Sequence, residues 1–501
     1  MEVNGQNGIP ELIKNLSSPL NYKSNEIAII LAAGHGKRIK SQKSKMLHKI
    51  WGIPTVERVF DACRAGIKDI NIILVVGIKA EDVMGVLGKR EATSFAYQSS
   101  QNGTGHAVQV ALQNIDEKNF EGIVYVLPGD MGLIDSITLQ NFRKEFINTK
   151  SDMMVLTGIF QGKPSENLYG RIIRVKQNDE NGNPSGKDFN RVIEIMEYKD
   201  ILSLPEDKLY RAKYNNRVYS FSKKELVENN EFNSGVYAFD YKKLVELIHS
   251  IENKNVQKEI YITDLISLFN KKGYIIGAVS PHEQYVVMGF NNKSVLKEME
   301  DFARKIVYEQ VKDIIDIEDS DDFFIDETVV KNVIELDKQN IPLDIHIGKG
   351  VHIGRGVKLN YSTFLSKNVY VNGNIKFGKN VNVRSNVHLS CFPGQSIQIG
   401  ESVEILSGNI IRGNVVIGDN TIIESSVTMT GNDDFPLIIG NNVIIRGTSY
   451  IFGSVVEDDV RIEHSVIIKK RVEKLIKRDG SIQPIRFYLP LPEGIDAIED
   501  L

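Results

Sequence analysis

"IGKGVHIGRGVKLNYSTFLSKNVYVNGNIKFGKNVNVRSNVHL", residues 347–389, repeats one pattern every six residues. An apolar residue opens each of eight successive hexads: Ile347, Ile353, Leu359, Leu365, Val371, Phe377, Val383 and Leu389. A β-branched residue follows four places later, at Val351, Val357, Thr363, Val369, Ile375, Val381 and Val387. This short fixed period predicts a parallel β-helix whose anchors point inward, with Gly or Asn after an anchor easing a corner. An antiparallel β-domain would not hold one register through eight hexads.

The sequence before this repeat has a different pattern, in which apolar runs alternate with helical stretches from about residue 26 to 290. The runs are continuous, as in strands covered on both faces: "EIAIILAAG", "INIILVVG", "GIVYVLPGD" and "DMMVLTGIF". They predict an α/β, doubly wound (Rossmann-like) domain whose ligand crevice lies at the carboxyl ends of its strands.

These patterns divide the chain into five segments, with the acidic stretch "DIEDSDDFFIDE" near a boundary. The predicted segments are an N-terminal extension at 1–25, the α/β domain at 26–292, a linker helix at 293–318, the β-helix at 319–470 and a tail at 471–501.

Composition limits the classes of function. Lys and Arg number 61 and Asp and Glu 65, so a net charge of −4 gives no overall basic field for nucleic acid or a membrane surface. Cys63 and Cys391 form neither a metal-ligand spacing nor a disulfide framework. Residues 1–25 lack the apolar core of a signal peptide, and no apolar run approaches the ~20 residues of a membrane span. We expect a cytoplasmic protein.

The stretch "LAAGHGKRIKSQKSKMLH", residues 31–48, follows the first buried strand. The strand ends at Leu31, and the small residues after it would let the backbone approach an anion closely and direct N–H groups at it: Ala32, Ala33, Gly34 and Gly36. Arg38 and Lys45 would neutralise phosphates. The spacing fits neither the Walker loop nor the dinucleotide fingerprint, and a solvated basic turn is the alternative.

Further stretches place polar groups at strand ends. Gln98 and Gln101 precede a glycine turn, and an amide offers a donor and an acceptor to a base edge. Asp130 ends the run "LPGD", where a carboxylate would hold magnesium. Asn233 lies beside a turn, and Gly170 would let the backbone approach a sugar. Each has a structural alternative, namely a helix cap, an Asx turn or loop punctuation. Together they favour a nucleotide beside a sugar phosphate.

These motifs occur in the order found in the bacterial N-acetylglucosamine-1-phosphate uridylyltransferase family, which the chain resembles. They include "LAAGHGKRIKSQKSKMLH", "QNGTGHAV", "YGRI", "FNSGVY", "KEIYITDLISL" and "MGFNNKSVL". The bifunctional members of this family also carry a left-handed β-helical glucosamine-1-phosphate acetyltransferase domain. The resemblance implies Mg²⁺-dependent transfer of UMP from UTP to a hexosamine 1-phosphate, namely N-acetylglucosamine 1-phosphate, which gives UDP-N-acetylglucosamine and pyrophosphate.

The resemblance assigns roles to individual positions. Arg38 and Lys45 match the catalytic basic residues. Nucleotide-binding positions are those around the first strand end and the second glycine turn: Leu31, Ala32, Ala33, Gly34, Gly36, Gln98, Gln101, Gly103 and Thr104. The remaining matches are Gly170, Glu197 and Asn233 for the sugar, and Asp130 and Asn291 for the metal.

Departures from the family pattern leave alternatives open. Ser44 replaces a common proline, and Pro128 stands where a tyrosine usually precedes "GD". Relative to the family, residues at about 201–231 are an insertion in the α/β domain, which would act as a lid over the sugar. These departures put the exact sugar in doubt. Neither H-x-x-Y-x-G-D nor N-Y-D-G, the acetyltransferase signatures, occurs in the chain. We therefore expect the β-helix to form a homotrimer, with His352 and His388 as face residues. The alternatives are a diverged acetyltransferase site, another hexose 1-phosphate, or a non-catalytic sugar-nucleotide-binding scaffold.

Overall fold

The computed structural model describes residues 8–34, 39–252 and 259–487, and the chain divides into two compact units, Met1–Glu300 and Asp301–Leu501. The strands of the first unit are β1 Glu26–Ala32, β2 Lys49–Ile50, β3 Ile53–Pro54, β4 Asn71–Val76, β5 Thr93–Tyr97, β6 Ile123–Pro128, β7 Met153–Ile159, β8 Arg171–Arg174, β9 Val192–Met196, β10 Tyr210–Tyr214, β11 Arg217–Phe221, β12 Glu231–Asp240 and β13 Ile276–Val279. Its helices are α1 Ile9–Leu16, α2 Thr55–Gly66, α3 Ala80–Leu87, α4 Thr104–Leu112, α5 Ser136–Asn148, α6 Tyr198–Ser203, α7 Lys223–Glu228, α8 Tyr241–Ile248 and α9 Asp264–Lys272. Helix α10, Lys293–Val311, includes the division between the units, and α11, Glu327–Asp337, belongs to the second.

The first unit is built on one large sheet with the strand order β13-β7-β12-β6-β1-β4-β5. Strand β1 lies parallel to β4 and to β6, and β4 lies parallel to β5. Alternate residues of β1 enter two different hydrophobic clusters, Ile27 and Ile29 on one face and Ala28 and Ile30 on the other. Both faces of the sheet are therefore covered, which is why the strands read as continuous apolar runs.

Strand β12 lies antiparallel to both of its neighbours in the sheet, β6 and β7. The predicted turn beside Asn233 lies inside this strand, where the register shifts between Asn233 and Val236. Gly235 has a φ of +85°, and a Cβ there would lie 3.0 Å from Pro128 Cγ. The "NSG" sequence therefore marks a bulge within a strand and not a chain reversal.

The predicted insertion at 201–231 forms a small folded layer. It holds the end of α6, the antiparallel β10–β11 pair and helix α7, which begins with a capping box at Ser222 and Glu225. Its own hydrophobic cluster is shared with residues of β8 and β9, including Ile173 and Ile193. The layer is therefore packed on the β8–β9 pair, which carries two of the predicted sugar-binding positions at its ends, Gly170 before β8 and Glu197 after β9.

The second unit is a parallel β-helix, as the hexads predict. Its strands are β14 Asp316–Ile317, β15 Phe323–Ile325, β16 His346–Ile347, β17 Val351–Ile353, β18 Phe364–Leu365, β19 Tyr370–Asn372, β20 Ile375–Phe377, β21 Asn382–Val383, β22 His388–Ser390, β23 Ile397–Ile399, β24 Glu404–Ile405, β25 Ile410–Gly413, β26 Val415–Ile417, β27 Ile422–Ile423, β28 Thr428–Gly431, β29 Leu437–Ile439, β30 Ile444–Ile445, β31 Tyr450–Phe452, β32 Val455–Val456, β33 Arg461–Ile462, β34 Val466–Ile468 and β35 Arg471–Val472. In the described residues they form three parallel sheets of eight, eight and six strands. The anchors that open the hexads are all buried.

Glycine after an anchor serves close packing of successive coils and not the corner itself. A Cβ on Gly378 would lie 2.4 Å from the backbone carbonyl carbon of Gly400 in the next coil. The residue with positive φ comes two places later, at Asn380, where φ is +56°. Gly350 and Gly356 take the same corner position in other coils, with φ of +71° and +90°. The predicted role of Gly or Asn at corners is therefore confirmed, whereas the glycine directly after an anchor is required by the small distance between coils.

The boundaries of the β-helix differ from those predicted. Helix α10 ends at Val311 and does not reach 318, and the acidic stretch forms the first coil, since β14 and β15 pair with β16 and β17. At the other end β35 extends the solenoid to Val472. The tail then returns to it, because Phe487 N donates to Ser465 Oγ at 2.9 Å. Among the described residues, no helix is long and apolar enough to cross a membrane.

Candidate active site

The carboxyl ends of β1 and β6 lie side by side and form the floor of the candidate site. Leu31 pairs with Pro128, and Gly129 N donates to Leu31 O at 3.0 Å. A Cβ on Gly129 would lie 3.0 Å from Met46 Sδ, so the turn after β6 runs close beneath the Lys45–Leu47 helical turn. The predicted positions Gly36 and Arg38 lie outside the described residues, and their roles stay predictions.

Lys45 joins the two predicted metal ligands. Its side chain is buried, and its ammonium contacts the Asp130 carboxylate and lies 3.0 Å from Asn291 Oδ1. The Phe290 ring lies below the same ammonium, with 5.3 Å between the nitrogen and the ring centroid. Asp130 and Asn291, which lie 85 and 246 positions after Lys45 in the chain, therefore meet it at one point. A buried ammonium between a carboxylate and an aromatic face is a strong local charge.

The Asp130 and Asn291 oxygens fit a magnesium ion in type and in convergence. Carboxylate and amide oxygens are hard donors, and both contact one ammonium, so they already point at a single cation-sized position. Among the residues that the structure describes, no group of three or more His, Cys, Asp or Glu side chains is placed to hold a metal. Two protein ligands leave the other positions of an octahedral ion to phosphate oxygens and water, which is how Mg²⁺ binds with nucleotides.

The predicted nucleotide-binding turn lies at the start of α4. Gln98 is buried, its amide nitrogen donates to Gly103 O at 3.2 Å, and it lies 3.1 Å from His106 Nδ1. Gln101 donates to Ala33 O at 2.7 Å, which ties this turn to the end of β1. Thr104 Oγ1 accepts a hydrogen bond from Ile262 N at 3.2 Å. The predicted nucleotide-binding positions that the structure describes therefore lie at the end of β1 and at the start of α4, and Gln101 connects the two places.

Gly103 is required at this turn for two reasons. Its φ is +103°, a conformation that side chains disfavour, and a Cβ would lie 2.5 Å from Ile260 O. Gly105 N donates to the same carbonyl at 2.8 Å. The segment around Ile260 therefore closes against the start of α4.

The predicted sugar-binding positions also lie together. Asn233 N donates to Gly170 O at 2.8 Å, and a Cβ on Gly170 would lie 3.2 Å from Glu197 Oε1. Asn233 Oδ1 accepts from Gly235 N at 3.0 Å, which fixes the amide orientation within the bulge. The backbone of Gly170 thus lies between an amide and a carboxyl group, an arrangement suited to several sugar hydroxyls.

The Glu197 carboxyl is electrostatically unusual. Burial, together with the smaller effect of three neighbouring carboxylates, Asp200, Asp264 and Glu259, raises its pKa to about 7. Burial, together with Asp200, also raises the pKa of Asp264 to about 6. Near neutral pH Glu197 is therefore divided between an acceptor form and a form that also donates.

Sequence reasoning missed Tyr169, Arg171 and Asp264 as parts of this region. Tyr169 and Arg171 flank Gly170 in "YGRI", and Asp264 lies in "YITDL". Of the residues in these two motifs, only Gly170 has a predicted role. The Tyr169 and Arg171 side chains donate hydrogen bonds to backbone carbonyls, and the raised pKa of Asp264 results first from its burial. Neither feature leaves a pattern in the sequence.

Two histidines of the β-helix, His352 and His388, form part of one stack of rings, in agreement with their prediction as face residues. The ring of His352 lies 4.4 Å from that of Phe324 and 4.8 Å from that of Tyr370, between centroids. His388 stacks on the other side of Tyr370 at 4.6 Å. Successive strands of one sheet supply these rings, so the stack follows the spacing between coils.

Comparison with known proteins supplies a family match in each unit. Residues 28–175 match the family described as MobA-like NTP transferase domain, and residues 396–431 match Bacterial transferase hexapeptide (six repeats). Together with the three parallel sheets, these matches confirm the predicted fold class, a Rossmann-like nucleotidyltransferase domain followed by a left-handed parallel β-helix.

The chain is also similar to curated proteins named Bifunctional protein GlmU. It is 36% identical over 265 residues to the one from Caldicellulosiruptor saccharolyticus, across 53% of this chain and 49% of the relative. It is 33% identical over 308 residues to the one from Acetivibrio thermocellus, across 60% and 57%. The chain thus spans about half the length of the curated relatives it matches. A solved structure of UDP-glucose pyrophosphorylase complexed with UDP-glucose matches 56% of this chain and 100% of its own, at 14% identity and a TM-score of 0.38. The resemblance inferred from the sequence motifs is confirmed.

Proposed function

We propose that the first unit transfers UMP from UTP to N-acetylglucosamine 1-phosphate, giving UDP-N-acetylglucosamine and pyrophosphate. A phosphate oxygen of the sugar phosphate attacks the α-phosphorus of UTP, a new P–O bond forms, and the bond from that phosphorus to the bridging oxygen breaks. The nucleophile is already an anion, so neither a covalent intermediate nor a general base is needed. Positioning and charge neutralisation account for the rate.

The convergence of Lys45, Asp130 and Asn291 supports this proposal most directly. A point charge from Lys45 is suited to the charge that develops on the phosphates. Asp130 and Asn291 would hold Mg²⁺, which when bound neutralises phosphate charge and orients the leaving group. A protein that only sensed a sugar nucleotide would have no need of both metal ligands beside a buried lysine.

The two sides of the site support the choice of substrates. Gln98 and the Gly103 turn would read the base edge, and Gly170, Glu197 and Asn233 would bind the sugar. Similarity to the bifunctional GlmU proteins favours a uridine nucleotide and an N-acetylhexosamine among the possible pairs. The departures at Ser44 and Pro128 make the sugar the part of the proposal to test first.

We propose that the β-helix serves assembly as a homotrimer and does not transfer an acetyl group. Support comes from the hexapeptide match and from apolar side chains on its outer surface, where Val416 and Ile438 are 39% and 40% exposed and adjacent in register. The stacking of His352 and His388 supports structural roles for them. Thiol release from acetyl-CoA with glucosamine 1-phosphate would contradict this assignment.

Pyrophosphate release from each of the four NTPs with a panel of hexose 1-phosphates, with and without Mg²⁺, tests the reaction. The expected result is release that requires UTP, N-acetylglucosamine 1-phosphate and the metal. Release with another sugar phosphate would correct the substrate alone. Tight binding of UDP-N-acetylglucosamine without release from any pair would instead support a non-catalytic scaffold.

A further inference from the structure

Tyr169 connects the predicted sugar-binding loop to the predicted metal site. Its hydroxyl donates a hydrogen bond to Gly289 O at 2.9 Å. Its ring stacks on Phe232 at 4.6 Å between centroids, with 26° between the ring planes. The ring is thus fixed by packing on strand β12, while the hydroxyl reaches a different segment, 120 residues further along the chain.

Gly289 lies two residues before Asn291 and beside Asp130. A Cβ on Gly289 would lie 3.5 Å from each Asp130 carboxylate oxygen, so this backbone runs past that side chain at van der Waals distance. Phe290, the next residue, is fully buried beneath the Lys45 ammonium. A hydrogen bond that fixes the Gly289 carbonyl therefore limits the positions that the Asn291 backbone can take.

Arg171 holds the loop that carries Tyr169. Its side chain is fully buried, and its guanidinium donates to Tyr169 O and, at 2.8 Å, to Asn167 O. A longer contact of 3.4 Å reaches Val227 O near the end of α7, and the guanidinium lies over the Tyr198 ring at 5.3 Å. Carbonyl oxygens at the ends of short helical segments carry partial negative charge, which compensates a buried cation in part.

These contacts form a continuous series from the insertion layer to the metal ligands. The return segment of the insertion is fixed to β8, since Asn229 Nδ2 donates to Ile172 O at 2.7 Å and Arg174 pairs with Glu231 at 2.6 Å. Arg171 then fixes the loop before β8, and Tyr169 fixes Gly289. The insertion therefore supports the metal site indirectly, through β8, the loop before it and Gly289, in addition to its predicted role as a lid.

We propose that Tyr169 is a positioning residue that keeps Asn291 beside Asp130, and that Arg171 keeps Tyr169 in place, so that the sugar loop and the metal pair form together. The inference rests on the proposed function for its metal, but the contacts themselves do not depend on the identity of the sugar. It predicts that a substitution on the sugar loop changes metal affinity.

Tyr169→Phe tests this inference, because it removes the hydroxyl and keeps the stacked ring. Mn²⁺ binding to the metal-free full-length protein, measured by electron paramagnetic resonance with and without UTP, should weaken roughly tenfold, as expected when a group that orients a ligand is lost. Hydrogen exchange of the peptide covering residues 285–295 should become faster, while the melting temperature falls by only a few degrees. Tyr274→Phe is the matched control, since its hydroxyl donates to Glu246 at 2.7 Å in the same unit.

Unchanged Mn²⁺ affinity together with unchanged exchange in Tyr169→Phe would overturn the inference, even if uridylyl transfer by the wild type is demonstrated. Faster exchange with weaker Mn²⁺ binding would support it. If the wild type releases no pyrophosphate from any substrate pair but the exchange and Mn²⁺ results hold, the proposed function fails and the positioning role stands.

Discussion

The Lys45 ammonium nitrogen lies 3.0 Å from Asn291 Oδ1 and also contacts the Asp130 carboxylate, so one cation already joins the two oxygens assigned to a metal. A divalent ion bound by these two side chains would compete with the lysine for the same oxygens. Release of Lys45 from them would free its charge to approach the phosphates. The site would thereby exchange one cation for another when metal and nucleotide arrive.

Lys45→Met should separate these two roles. Without the ammonium, no side-chain cation competes with the metal for the Asp130 carboxylate. Mn²⁺ affinity should therefore rise roughly tenfold, a typical coupling factor between two ligands of one site. Pyrophosphate release should fall by roughly 100-fold or more, because a charge that stabilises the developing phosphate charge is gone. Isothermal titration and a coupled pyrophosphate assay measure the two effects.

The matched control for this lysine is Lys43→Met, because Lys43 is exposed and lies in the same loop. It should leave both quantities within about twofold. Weaker Mn²⁺ binding in Lys45→Met would show that the lysine and the metal do not compete.

Gly103→Ala should disrupt the nucleotide-binding turn. Gly88 offers a matched comparison, since it also has a positive φ of +61° but has open space around a Cβ. Gly88→Ala should cost about 1 kcal/mol of unfolding free energy from conformational strain alone. Gly103→Ala should cost about 3 kcal/mol or more, because the Cβ also collides with Ile260 O, and should weaken UTP binding. Urea unfolding followed by circular dichroism measures both, and equal midpoint shifts would argue against the collision.

The features that could be predicted from sequence are those with a local signal. The anchors from Ile347 to Leu389 repeat every six residues, so their burial followed from counting. The meeting of Lys45 with Asn291, 246 positions away, has no local signal and came from the family resemblance. The bulge at Gly235 was mistaken for a turn because both use the same residue types. The hydrogen bond from Tyr169 to Gly289 was missed because its acceptor is a backbone carbonyl, so the bond restricts the residue type at 169 and not at 289.

Ile438→Asp should dissociate the proposed trimer. Ile438 and Val416 are adjacent on the outer face of one sheet of the β-helix, and a carboxylate buried in an apolar contact between subunits is unfavourable. Lys376→Asp, on the same outer row three coils before Ile438, is the control. Light scattering after size exclusion should give three chain masses for the wild type and the control and one for Ile438→Asp. A single chain mass for the wild type would refute the assembly.

Glu197→Gln should change how stability depends on pH. The native carboxyl has a pKa of about 7 against an ordinary value of 4.5, so the folded protein holds a proton that the unfolded chain releases between these values. Its stabilising contribution is therefore complete below 4.5 and is lost as the pH rises through 7. Glutamine keeps the neutral state at every pH, so the variant should become progressively more stable than the wild type between about pH 5 and about pH 8.

Melting temperatures of the two proteins across this range measure the difference, with the exposed Glu81→Gln on α3 as the control, which should follow the wild type at every pH. If Glu197→Gln and the wild type keep a constant difference from about pH 5 to about pH 8, the carboxyl does not titrate in this range. The cluster with Asp200 and Asp264 would then not raise its pKa, and the sugar would meet an ordinary carboxylate that accepts hydrogen bonds and does not donate them.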